Sequence, residues 1–291
     1  MDLLLTLPII IMTAATPLLL AALGEAVAER SGVLNLGVEG MMVMGAVAGF
    51  GGAFLTGNPW VGILAAIVAG VLMSLLFGFL SLTLLTNQVA TGLALTLLGL
   101  GLSALVGEAF VGQPGVRLPT VGGIDPLIPF SFILTAVVGY VLFRTKTGLI
   151  IRAVGNSHAA AHALGYRVIM VRYLCVMFGG ACAGLAGGYL SLVYTPQWVE
   201  NMTAGRGWIA LALVVFASWL PLRILAGAYL FGTISILSFV MQAQGLGIPS
   251  QFLSSLPYLG TILALVVISG NKALTRRNTP ASLGQPFVPD R

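Results

Sequence analysis

Two polar side chains stand four residues apart in a stretch that is otherwise apolar and rich in glycine. Ser31–Gly45 reads SGVLNLGVEGMMVMG and carries Asn35 and Glu39 among Gly32, Gly37, Gly40 and Gly45. On a continuous helix, Asn35 and Glu39 share a face. A carboxylate at membrane depth is costly and normally faces a protein interior or an aqueous path. The glycines weaken a helix and let backbone or ligand approach closely. Broken polar segments at that depth are a common way to build a transport site. Asn35, Gly37, Glu39 and Gly40 are therefore candidate pathway residues, with Thr91 further along the chain as a weaker one. A plainer alternative puts Glu39 at the water boundary and has the glycines only pack helices. Spacing offers Glu39 no ionisable partner, and an intramembrane enzyme needs paired groups in one cavity, so no catalytic residue is expected.

The elements that must position these residues are membrane helices. Of 291 residues, 58% are hydrophobic and only 7% charged, with a mean hydropathy of +1.04. Apolar runs of about 20 residues recur, and the period-2 alternation of a transmembrane barrel is absent. The fold class is thus an all-α integral membrane protein, a polytopic bundle with a broken or re-entrant second segment. The 38 glycines suit close helix packing. A net charge of +5 could suggest nucleic acid. The basic residues instead gather between Arg144 and Arg172 and in the tail, as the positive-inside rule expects. Cys175 and Cys182 lie about 10.5 Å apart on a helix, beyond disulfide reach. The N-terminus lacks a basic n-region and an A-x-A site, which predicts a retained first helix.

Hydropathy and turn residues predict nine membrane segments: 7–23, 31–54, 60–85, 89–106, 126–143, 173–194, 207–220, 224–241 and 252–269. Gly24–Arg30 reads as a short charged patch after the first, and Thr56-Gly57-Asn58-Pro59 as a turn. Gly180, Gly184 and Gly188 recur every four residues, a stripe for close contact with another helix. Residues 1–291 form one transmembrane domain, with a polar loop at 144–172 and a basic tail at 271–291 that its composition marks as disordered. The basic loop and the basic tail agree on parity. They place the loop and C-terminus in the cytoplasm and the N-terminus outside, in a multi-pass protein of the cytoplasmic (cell inner) membrane.

The loop from Arg152 reads RAVGNSHAAAHALGYRVIMVR. Asn156 or Ser157 can cap a short helix, Ala-rich 158–164 favours one, and Gly165 can end it. Exposed Ala160, Ala161 and Leu164 would suit docking to another protein; a solvated connector is the equal alternative.

Taken together, SGVLNLGVEGMMVMGA, RAVGNSHAAAHALG and GGACAGLAGGYL resemble the permease subunits of binding-protein-dependent ABC importers, over roughly residues 7–270. That family includes ribose-type, branched-chain amino acid and nucleoside permeases, and GVLNLGVEGMM looks most like the nucleoside subgroup. The resemblance implies that Arg152–Tyr166 holds a coupling helix for a cytoplasmic ABC ATPase, with Arg152, Gly155, Asn156, Ala160, Ala161, Leu164 and Gly165 in that role. It also implies a second, similar permease subunit, an extracytoplasmic substrate-binding protein or lipoprotein, and alternating access without chemistry on the solute. ATP and Mg²⁺ would sit on the ATPase, leaving this chain without a cofactor.

No G-x-x-x-x-G-K-[ST] motif is present, so this chain is not expected to bind ATP. His158 and His162 have a zinc-compatible spacing but no nearby Cys or carboxylate, which favours two helix-surface histidines. Simple sugars and branched-chain amino acids are rival solutes. A stand-alone secondary transporter or channel is the rival class, for which the 144–172 loop would have no purpose.

Overall fold

The computed structural model describes residues 2–243, 249, 251–252, 255–256, 259–260 and 278–288. Ten α-helices run through them: α1 (Asp2–Arg30), α2 (Val38–Thr56), α3 (Pro59–Gly78), α4 (Gln88–Gly107), α5 (Leu127–Arg144), α6 (Lys146–Asn156), α7 (His158–Ala163), α8 (Val168–Tyr189), α9 (Arg206–Phe216) and α10 (Pro221–Ala243). π-helical turns extend α3 through Phe79–Thr83 and α8 through Leu190–Tyr194. Seven of the helical runs are long and apolar enough to cross a membrane. The chain is a polytopic helical membrane protein.

Local chemistry sets the helix starts. Asn58 accepts the N–H of Trp60 ahead of Pro59, Asn87 accepts that of Ala90, and Thr145 accepts that of Gly148. Each satisfies a donor that the first helical turn leaves free. Asp125 does the same for α5, its Oδ1 taking the N–H groups of Leu127 and Ile128 at 3.0 and 3.2 Å.

The bundle is centred on α8, which packs against α1, α2 and α3. Gly180, Gly184 and Gly188 face α3, and any side chain added at Gly184 would run into the backbone of Ala66 and Gly70. The backbones of α2, α3 and α8 therefore meet nearly surface to surface, which in lipid is where packing energy comes from.

Four differences from the sequence expectations have physical causes. The patch Gly24–Arg30 is the last two turns of α1, and Glu25, Glu29 and Arg30 are buried. Residues 31–37 are not helical, so Asn35 and Glu39 do not share a helix face. The seventh expected segment is α9, whose 11 residues rise only about 16 Å, too little to span. In the tail, residues 278–288 are packed against the α6–α8 region, held by the Ser282 N–H on Gly155 O, the Gly284 N–H on Gly32 O and the Phe287 side chain among Val154, Ala161 and Val168. The ninth expected segment, 252–269, falls largely outside the described residues.

Candidate functional site

Residues 31–37 form a backbone excursion between α1 and α2. Backbone that is neither helix nor sheet is tolerated inside a membrane bundle only if protein groups satisfy it. Here several of its groups find such partners. The Val33 N–H donates to Ala28 O at 3.3 Å. The Leu34 N–H donates to Gln88 Oε1 at 2.8 Å and the Asn35 N–H to Glu25 Oε1 at 3.3 Å. Thr96 Oγ1 donates to Leu36 O at 3.1 Å. The Gly37 N–H donates to Asn35 Oδ1 at 2.9 Å, an Asx turn that leads into α2.

This excursion starts α2 inside the bundle. Gly45 lies beside Gly184 and Gly49 beside Gly188, so α2 and α8 run parallel. At 1.5 Å per residue, Val38 then sits about 13 Å along α8 from its first residue. The first turn of α2 carries Glu39, which is 3% exposed.

The partners of Glu39 come from far along the chain. Its Oε1 accepts the Thr203 hydroxyl at 2.5 Å and the Gly205 N–H at 2.8 Å, and its Oε2 accepts the Gly207 N–H at 2.6 Å. Gly205 and Gly207 flank the start of α9. One carboxylate thus closes the N-terminal end of α9 while lying in the first turn of α2, so two helix dipoles present positive ends to it. Gly207 is required by the approach: a Cβ there would lie 2.6 Å from the Glu39 backbone and 2.8 Å from its carboxylate.

At the other end of α9, Ser218 and Trp219 both take left-handed backbone, with φ of 51° and 56°. Such angles are unusual outside glycine. They are held by the end of α1: Trp219 Nε1 donates to Glu29 Oε2, and Arg30 Nη2 donates to Trp219 O at 3.3 Å. Arg30 also lies 5.4 Å over the Phe143 ring.

The pathway candidates therefore occupy different parts of one construction. Asn35 turns the excursion, Gly37 receives that turn, and Glu39 clamps α9. Gly40 packs on the backbone of Leu95 and Thr96 of α4. Thr91 bonds Thr86 Oγ1 and Asn87 O at the start of α4 and makes no bond to the excursion. Glu25, Glu29, Gln88, Thr96 and Thr203 escaped the sequence reading. Gln88 and Thr96 lie eight apart around Thr91, a helical spacing that could have pointed to them. Four buried atoms of this construction have no protein partner among the described residues: Glu25 Oε2, Gln88 Nε2, Arg30 Nε and Ser218 Oγ.

A second feature is the corner formed by α6 and α7. Ser157 caps α7 by accepting the Ala160 N–H at 3.3 Å. Gly165 ends it with φ +86° and open space around its Cα. Leu164 is 76% exposed and Ala160 exposed, whereas Ala161 is buried. Arg152 lies 5.3 Å over the Phe143 ring. A side chain at Gly155 would collide with Arg30 O and approach Gly32 N at 3.2 Å. Asn156 closes α6, and its carbonyl accepts the Ser282 hydroxyl at 3.2 Å. The corner thus rests directly on the turn that opens the 31–37 excursion.

A polytopic bundle with a non-helical excursion at the start of one span, and the α6–α7 corner seated on it through Gly155, suits a transport permease. The comparisons agree. Residues 7–269 match the family described as branched-chain amino acid transport system / permease component, and the chain belongs to that family. It is 40% identical to a putative glucose ABC transporter permease protein of Haloferax volcanii, with 94% of each chain covered. It is 33% identical to a guanosine ABC transporter permease protein of Bacillus subtilis, covering 94% of this chain and 93% of that one. With a nucleoside ABC transporter permease protein of Lactococcus lactis the identity is 30%, over 88% and 90%. The chain is an ABC transporter permease subunit.

Proposed function

We propose that this permease imports a nucleoside-like solute by alternating access, driven by a separate ATPase that docks on α7. Two of the three relatives named above carry nucleoside or guanosine in their names, and the GVLNLGVEGMM stretch has the nucleoside-type pattern. The observation that carries the mechanism is the seat of the α6–α7 corner on the 31–37 break, through Gly155 against Arg30 and Gly32. Force applied at the exposed Leu164–Gly165 end of α7 has a short route to the start of α2. Glu39 then links that start to α9, so α2 and α9 move together. Asn35, Gly37, Glu39 and Gly40 act by shaping the pathway, and Thr91 stands beside the Gln88 end of α4.

A second permease completes the translocation path. Haloferax volcanii and Bacillus subtilis each have a further permease protein that matches this chain, at 28% and 23% identity, which favours a pair of similar, non-identical subunits. An extracytoplasmic binding protein delivers the solute, and ATP and Mg²⁺ are held by the ATPase. The loop 144–172 and the C-terminus face the cytoplasm and the N-terminus faces outside, as the basic residues direct. Glucose is the second solute reading, supported by the Haloferax relative.

Purification of the tagged chain from native membranes, with mass spectrometry of what accompanies it, tests this. An ATPase and a second permease are expected. A lone homo-oligomer, under conditions that preserve known ABC complexes, would replace this reading with a secondary transporter.

A further inference from the structure

The end of the chain returns to the corner. The Ser282 N–H donates to Gly155 O at 2.9 Å and the Gly284 N–H to Gly32 O at 3.0 Å. These two bonds hold the two faces of the corner's contact, one on α6 and one on the excursion. Phe287 is buried beside α7, its ring 5.3 Å from those of both His158 and His162. It packs in one cluster with Val154, Ala161 and Val168. Arg172, 1% exposed, ties the same parts together. Its Nε donates to Ser31 O at 3.3 Å and its Nη1 to Gln285 O at 3.0 Å, and its Nη2 lies 3.4 Å from His158 Nδ1.

We propose that residues 278–288 are a transmission tie that fastens α7 to the Gly32 turn, so that displacement of α7 moves the 31–37 excursion instead of being absorbed by the loop. The inference rests on the permease reading, since an outside drive on α7 is what the tie transmits. A helix of six residues has little stability of its own. Its buried side is Ala161, which packs with Val154, Val168 and, from the tail, Phe287. Removing that ring takes away the tail's apolar contact with α7 and leaves Val154 of α6 and Val168 of α8 in the cluster. The tie therefore positions the coupling helix; it touches no solute.

The experiment uses the complete importer in proteoliposomes, reading solute uptake and ATP hydrolysis on the same vesicles. Phe287→Ala is expected to lower uptake per ATP hydrolysed by about five-fold or more, with Phe287→Tyr restoring it. In a second arm, Leu34→Cys and Gly284→Cys, at positions whose Cβ atoms would lie 3.9 Å apart, are joined by a reducible disulfide; the natural Cys175 and Cys182 are buried. A tie stays in place through the cycle, so the joined protein should keep the uptake of its reduced form. Loss of uptake on joining, restored by reduction, would make the segment a strap that must release, and would overturn the proposal. So would thiols that fail to join, or an unchanged uptake-to-hydrolysis ratio in Phe287→Ala. Should that variant not assemble, the joined arm decides. A wild-type complex lacking ATP-driven uptake would instead overturn the permease reading, and is seen first.

Discussion

The Glu39 carboxylate accepts the Gly207 N–H at 2.6 Å across 168 residues of sequence, and so binds the start of α2 to the start of α9. Three donors converge on this one side chain. Glu39→Ala would leave the Thr203 hydroxyl and two backbone N–H groups without an acceptor inside the bundle, at about 1–3 kcal/mol each. The apparent melting temperature in detergent should fall by roughly 6 °C or more, and uptake should be lost. Glu39→Gln keeps one acceptor oxygen and should fall between, impairing uptake more than assembly with the ATPase. Unchanged melting and uptake in both would show the clamp to be dispensable.

Gly207→Ala approaches the same clamp from the other side. Its methyl would meet the Glu39 backbone at 2.6 Å, closer than real Cβ contacts come. The variant should reproduce most of the Glu39→Ala loss while leaving the carboxylate intact, and a double variant should add little to either. Additive effects would mean that Gly207 serves a separate purpose.

Gly165→Trp tests the corner. Among the described residues nothing lies within 4 Å of a Cβ added at Gly165, so a side chain there starts into open space. The left-handed φ costs about 1–2 kcal/mol, which the bundle should tolerate. Membrane insertion should stay normal while uptake is uncoupled from ATP hydrolysis. Gly165→Asn, compatible with φ +86° and small, should stay active. Normal uptake in the Trp variant would remove α7 from the coupling role.

Asp125 gives a pH signature. Burial pushes its carboxyl above the usual aspartate range, against the opposing hydrogen bonds from Tyr189, Ile128 and Leu127. A folded-state value above the unfolded one favours the protonated form on folding. Its contribution to stability is therefore fully present below the unfolded pKa and is lost as pH rises through the folded one. Asp125→Asn cannot ionise and retains an acceptor for the start of α5, so its melting temperature relative to wild type should improve as pH rises through that window. A constant difference across the window would contradict the assignment.

Much of this molecule was legible beforehand, and what escaped has a common cause. The break after Ser31, the Asn58 turn and the short helix ended by Gly165 all depend on residues close in sequence, whose preferences act locally. Glu25, Glu29 and Arg30 looked like a membrane boundary because charges usually mark one. They are interior because Asn35, Trp219 and Phe143 come from elsewhere to meet them. The run 207–220 has the composition of a span, but the left-handed Ser218 and Trp219 follow the end of α9 at Phe216 and close it early. The tail's prolines and basic residues resemble a disordered end, yet Ser282, Gly284 and Phe287 find their partners on α6, the excursion and α7. Long-range partners are what hydropathy leaves out.

The most direct test of the account is uptake of labelled guanosine into proteoliposomes holding this chain, its partner permease, the ATPase and the binding protein. Accumulation that requires ATP, and that disappears with Gly165→Trp while hydrolysis continues, is the predicted result. Uptake by this chain alone, indifferent to ATP, would contradict the account.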